Sequence, residues 1–141
     1  MDHTGAGFDA DAGLNSLLEL VDTLRGKAGC PWDRRQTPQT LKKYLLEECQ
    51  ELVEAIEQGD AAAVREESGD LLFLLVFLIR LYEEQGGFDL AAVCSEAHAK
   101  MVRRHPHVFG DAVVASEAEL YRQWDEIKAA EKKVKQRNEG V

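Results

Sequence analysis

Apolar residues recur at helical intervals along most of the chain. Leu14, Leu17, Leu18, Val21 and Leu24 fall three or four positions apart and predict a helix over 14–25, stopping toward Gly26. A second helix is expected to open at Pro38 behind a capping Thr37 and to end at Gly59. A third follows Asp60 and continues to about 85, closed by Gly86 and Gly87. A fourth covers about 89–104, ahead of Pro106. Ser116 with Glu119 three residues later has the spacing of a capping box, and predicts a fifth helix from there to about 133. Segments 27–38 and 105–115 read as loops. No segment alternates apolar and polar residues around hairpin turn chemistry. The expected fold class is all-α, a bundle of four to five helices completed by oligomerisation. Residues 1–11 are expected to form a disordered leader, 12–134 the domain and 135–141 a charged tail.

Composition narrows the function. At 141 residues and 45% hydrophobic, the chain holds enough apolar material for a core without disulfides or a structural metal. A net charge of −9 argues against broad nucleic-acid binding, which draws on clustered Lys and Arg. The longest apolar run, residues 71–79, is far shorter than the roughly 20 residues of a membrane-spanning helix. The acidic, glycine-rich start lacks the basic flank and apolar stretch of a signal peptide. Cys30, Cys49 and Cys94 form no C-x-x-C pair and leave one odd thiol, which suits a reducing compartment. A soluble, cytoplasmic protein without membrane or nucleic-acid partners is expected.

The second predicted helix carries an anomaly. With about 100° per residue, a helical wheel centred on Glu48 places Leu41, Tyr44, Leu45, Leu52 and Ala55 within about 60° of it. Glu48 thus occupies the middle of the core-facing stripe and Glu51 its edge, whereas Glu54 and Glu57 point away. An ionised carboxylate facing a core is costly unless something compensates it. The third helix repeats the pattern: Glu67 and Asp70 share a face just before the run from Leu71 to Ile79, which is apolar on every side and suits a central or subunit-covered helix. Residues 47–70 hold nine acidic side chains against the lone Arg65, so local ion pairing cannot neutralise them. Two antiparallel helices joined at Gly59-Asp60 would bring the pairs Glu48/Glu51 and Glu67/Asp70 together. A divalent cation is the simplest remedy, and an all-oxygen, histidine-free set suits a hard ion such as Mg²⁺ or Mn²⁺. The alternative is an ordinary solvated acidic face. A di-iron bundle would need Glu-x-x-His pairs, which the chain lacks.

Positive charge lies downstream, at Lys100, Arg103, Arg104, His105 and His107. Lys100 and Arg104 are four apart and can reach one ligand together, although cations also suit a helix C-terminus for its dipole alone. Trp124 and Lys128 repeat that spacing with a flat aromatic and a cation, and Trp32 stands in the Cys30-Pro31-Trp32-Asp33 loop. Each tryptophan reads as a packing residue or as a platform for a base. No glycine-rich phosphate loop is present.

The stretch Glu47-Glu48-Cys49-Gln50-Glu51, followed by Glu67-Ser68-Gly69-Asp70, resembles the E-E-x-x-E … E-x-x-D signature of the MazG-like nucleoside triphosphate pyrophosphohydrolases. Cys30-Pro31-Trp32-Asp33, the segment from Arg103 to Gly110, and the segment from Trp124 to Lys128 resemble the same family. The likeness covers about 14–133. It implies a Mg²⁺-dependent all-α enzyme, dimeric or tetrameric, that cleaves nucleoside triphosphates to monophosphate and pyrophosphate. It also implies that Glu48, Glu51, Glu67 and Asp70 hold the metal, and that Lys100, Arg104, Trp124 and Lys128 contact the nucleotide. Attack by water on the α-phosphorus is expected, with Glu47 as candidate base or outer support. Two alternatives stay open: a related pyrophosphohydrolase acting on a phosphoribosyl or signalling nucleotide, and a non-enzymatic helical partner-binding module.

Overall fold

A computed structural model describes residues 9–140, and these form seven helices with no strand among the described residues. They are α1 (Ala10–Arg25), α2 (Pro31–Arg34), α3 (Pro38–Gln58), α4 (Ala61–Glu84), α5 (Leu90–Arg104), α6 (Pro106–Phe109) and α7 (Glu117–Glu139). The all-α expectation holds. Among the described residues no helix is long and apolar enough to cross a membrane. The chain groups into two compact units, residues 1–90 and 91–141.

The first unit is built on α1, α3 and α4. Its core joins Leu18 and Val21 of α1, Leu41 of α3, and Val76, Phe77 and Leu81 of α4, with Tyr44, Phe73 and Leu78 packed against it. Local chemistry sets the helix ends. Asp9 caps α1 by accepting from the Ala12 N–H at 2.7 Å, so the helix opens at Ala10, four residues before the expected start. Of the leader expected over 1–11, residues 1–8 lie outside the described residues, while Asp9, Ala10 and Asp11 form the cap and first turn of α1. Thr37 and Thr40 cap α3 reciprocally: Thr37 Oγ1 accepts from the Thr40 N–H at 3.3 Å, and Thr40 Oγ1 from the Thr37 N–H at 2.9 Å. The α3–α4 turn needs Gly59, whose φ of 68° lies in the left-handed region, and Asp60 then caps α4 through the N–H groups of Ala62 and Ala63.

The expected loop over 27–38 contains the one-turn helix α2, opened by Pro31. Gly29 lays this segment against the end of α1. A Cβ there would collide with the Leu24 carbonyl oxygen, and the Cys30 N–H donates to that same carbonyl at 2.8 Å.

In the second unit, Pro106 opens the short helix α6 inside the expected 105–115 loop. Ser116 caps α7 by accepting from the Glu119 N–H at 3.2 Å, while the Glu119 carboxylate accepts from Ala115 rather than from Ser116. The capping box is therefore displaced by one residue. Helix α7 continues to Glu139, so most of the segment expected as a charged tail from 135 is helical. Its link to α5 is Glu131, bound by Arg103 at 2.8 Å and by Arg104 at 2.9 Å.

Candidate functional site

The α3–α4 hairpin puts both acidic pairs on one level. Glu48 and Asp70 each lie eleven residues from Gly59, and Glu51 and Glu67 each lie eight from it. In an antiparallel pair closed by a tight turn, equal distances from the turn mean neighbouring positions across the interface. One carboxylate oxygen from each of Glu48, Glu51, Glu67 and Asp70 accordingly lies within 4.8 Å of the others. Glu48 and Glu67 are half-buried, Glu51 and Asp70 exposed.

Two observations mark the cluster as unsatisfied. Glu48 Oε2 and Glu67 Oε2 are shielded from solvent and have no hydrogen-bond partner. Among the described residues, no lysine or arginine forms an ion pair with any of the four; the arginine pairs go to Asp22, Glu83, Glu84 and Glu131. Burial raises the Glu48 carboxyl above its ordinary value, reinforced by the close Glu51 carboxylate and the charge of Asp70. Burial, with Glu51, Asp70 and Glu48 crowding the same space, pushes Glu67 up to about 7. Four convergent carboxylates, two of which also carry a buried partnerless oxygen, form a donor set that fits a hard divalent cation. Glu47 is exposed on α3 and stands outside this group.

An aromatic groove of about 260 Å³ opens beside the acids, lined by Trp32, Tyr44, Phe73 and Phe77 together with Glu48 and Asp70. Trp32 meets the Tyr44 ring edge-on at 5.5 Å and remains 43% exposed. Phe73 and Phe77 form a second edge-on pair at 6.0 Å. The sequence does not show this groove, since local spacing leaves Trp32 open to packing and to a base platform alike. The one signal was Trp32 in a motif loop that no periodicity explained.

The downstream candidates occupy the second unit. The Arg104 guanidinium is committed to Glu131 and lies over the Trp124 ring at 5.2 Å. His105 meets that ring edge-on at 5.3 Å. The hydrogen bond from Arg104, aided by Arg103, holds the Glu131 carboxyl down at about 2. Lys100 and Lys128 are exposed. A larger open groove of about 870 Å³ along α5 and α7, walled by Ile127, Ala130 and Val134, holds none of the four acids.

An all-helical scaffold whose hairpin carries an E-E-x-x-E … E-x-x-D acid cluster defines a class of helical domains built around a candidate divalent-metal site. Residues 36–109 match the MazG nucleotide pyrophosphohydrolase domain, and the chain belongs to that family. It is 44% identical over 124 residues to the nucleoside triphosphate pyrophosphohydrolase/pyrophosphatase MazG of Thermotoga maritima, covering 86% of this chain and 47% of the relative. It is 40% identical over 120 residues to the nucleoside triphosphate pyrophosphohydrolase of Escherichia coli K12, covering 84% of this chain and 46% of that one. The chain thus spans about half the length of these curated relatives. A crystal structure of a MazG-related protein from Thermotoga maritima superposes with a TM-score of 0.67 at 29% identity, covering 82% of this chain and 98% of the other.

Proposed function

We propose that this domain hydrolyses nucleoside triphosphates to the monophosphate and pyrophosphate, with Mg²⁺, or Mn²⁺ in its place, held by Glu48, Glu51, Glu67 and Asp70. The observation that carries this reading is the pair of buried, partnerless oxygens inside an acid cluster with no ion-paired base. When bound, the ion would offset charge on phosphoryl oxygens and make water a stronger nucleophile near neutral pH.

The remaining roles fall to the chain's own side chains. Glu47, exposed beside Glu48, is the proposed acceptor of the proton from the water that attacks the α-phosphorus. The Trp32/Tyr44/Phe73 groove, ending at Glu48 and Asp70, is assigned to the base: apolar faces for a ring at one end, acids at the other. Lys100, Arg104, Trp124 and Lys128 are proposed nucleotide contacts from their likeness to the family pattern, with Arg104 already oriented by Glu131 and Trp124. A homodimer or homotetramer is proposed from the exposed Leu46, Val53 and Ile56 on α3 and the exposed Leu72 and Leu75 on α4. A cytoplasmic setting is proposed from the three free thiols.

The test is a panel of nucleoside triphosphates with Mg²⁺ in ¹⁸O-labelled water. The expected products are monophosphate carrying the label and unlabelled pyrophosphate; orthophosphate release or labelled pyrophosphate would refute the reading. Glu48→Gln and Asp70→Asn are each expected to lower turnover by at least about a hundredfold while far-UV circular dichroism stays helical. Undiminished Mg²⁺-dependent turnover in both would refute the metal assignment.

A further inference from the structure

Arg25, the last residue of α1, is a hub that stands outside the acid cluster. Its Nε and Nη2 donate to the two carboxylate oxygens of Glu84, both at 2.7 Å. Its Nη1 donates to the Asp33 carbonyl at 2.6 Å and reaches the Gln36 carbonyl at 3.5 Å. Those carbonyls end the one-turn helix α2 and the segment after it; Asp33 also accepts from the Gln36 N–H at 3.3 Å, a long backbone bond that the guanidinium supplements. The guanidinium also lies 5.7 Å from the centroid of Phe77, which lines the aromatic groove. A second arm completes the clasp. Gln36 Nε2 donates to the Trp32 carbonyl at 3.0 Å, and Gln36 Oε1 accepts from the Thr40 hydroxyl at 2.6 Å. Asp33 and Gln36 are buried, while Trp32 between these anchors stays open on the groove. With the Cys30 N–H held by the Leu24 carbonyl ahead of it, the backbone on both sides of Trp32 is tied to α1 and, through Gln36 and Glu84, to α3 and α4.

We propose that Arg25 is a positioning residue for substrate selection: by clamping the Pro31–Gln36 segment, it fixes Trp32 as one wall of the groove that receives the base. This rests on the assignment of that groove to the nucleotide base. A four-residue helix has almost no stability of its own. Without the guanidinium fork only the Gln36 arm and the Cys30–Leu24 hydrogen bond hold the segment, so Trp32 samples more orientations and binding must then order it at a cost in affinity. The acids are held together by the α3–α4 hairpin turn at Gly59, which Arg25 does not touch, so triphosphate handling is independent of the clamp.

The experiment compares wild type, Arg25→Gln, Arg25→Lys, Trp32→Ala and the double variant Arg25→Gln/Trp32→Ala, with ATP and UTP as substrates and inorganic tripolyphosphate as a base-free inhibitor. Arg25→Gln is expected to raise KM about tenfold with kcat within about twofold, and to leave tripolyphosphate inhibition unchanged. Arg25→Lys keeps the charge toward Glu84 but cannot span to the carbonyls, so the same direction is expected from a milder change. The double variant should be no worse than Trp32→Ala alone, because both changes remove one wall. In a Trp124→Phe background, where Trp32 is the sole indole, Arg25→Gln should increase acrylamide quenching with far-UV circular dichroism unchanged. Additive KM effects, a fall in kcat at constant KM, or equal weakening of tripolyphosphate would overturn the proposal. An unchanged KM in Arg25→Gln beside a raised KM in Trp32→Ala would remove only the role of Arg25. An unchanged KM in Trp32→Ala would remove the groove assignment itself.

Discussion

Glu48 stands where the α3 stripe calls for an aliphatic side chain, between buried Leu41 and Ala55. Placing a charge there, beside three other acids, destabilises the metal-free fold, and a catalytic reading accounts for that sacrifice. In EDTA, Glu48→Gln is therefore expected to raise the melting temperature by about 2–4 °C, since it removes one repelling charge at little cost in volume. In millimolar Mg²⁺ the order should reverse, because only the wild-type site gains from the ion. Differential scanning fluorimetry in both buffers checks this, and a variant less stable than wild type in EDTA would count against stored repulsion. Glu48 was legible in the sequence because a wheel needs only local spacing. Arg25 was not, because Glu84 lies 59 positions away and nothing local announces the pair.

At the scale of elements, long helices and their caps were readable and short ones were not. Thr37, Pro38, Gly59 and Asp60 fix the ends of α3 and the start of α4 by chemistry visible residue by residue. Helices α2 and α6 have four residues each, too few for any apolar period; proline opens both, and the Arg25 guanidinium binds the end of α2. The end of α7 is not legible in the sequence, because its last turns are charged and no stop signal precedes Gly140. The α5–α7 link yields a prediction of its own. Glu131 titrates at about 2 when folded, against 4.5 when unfolded, so its stabilising effect is complete above about pH 4.5 and disappears as pH falls through 2. At neutral pH Glu131→Gln should cost about 1 kcal/mol, the range of a partly exposed ion pair. That deficit should vanish near pH 2, as followed by urea unfolding across the pH series.

For the whole molecule, the apolar run of α4 is only partly covered within the chain. Val76, Phe77 and Leu81 are buried, yet Leu72 and Leu75 are each 43% exposed, and Leu46 on α3 is 73% exposed. Leu46 and Leu72 each lie thirteen residues from Gly59 and so share a level on the hairpin. If this face is where copies meet, Leu46→Glu with Leu72→Glu should weaken association by on the order of a thousandfold, at about 2 kcal/mol per site. Light scattering after size-exclusion chromatography should then show a dimer or larger for wild type and a monomer for the variant. A wild-type monomer would overturn the assembly proposal.

All four acids of the candidate site belong to residues 48–70, on either side of one tight turn. Contacts so close in sequence close early when a chain folds, before distant segments have been recruited. Zipping this hairpin means driving like charges together at its first steps. A cation present during folding would relieve that barrier, acting as a template for the nucleus as well as a resident of the finished protein.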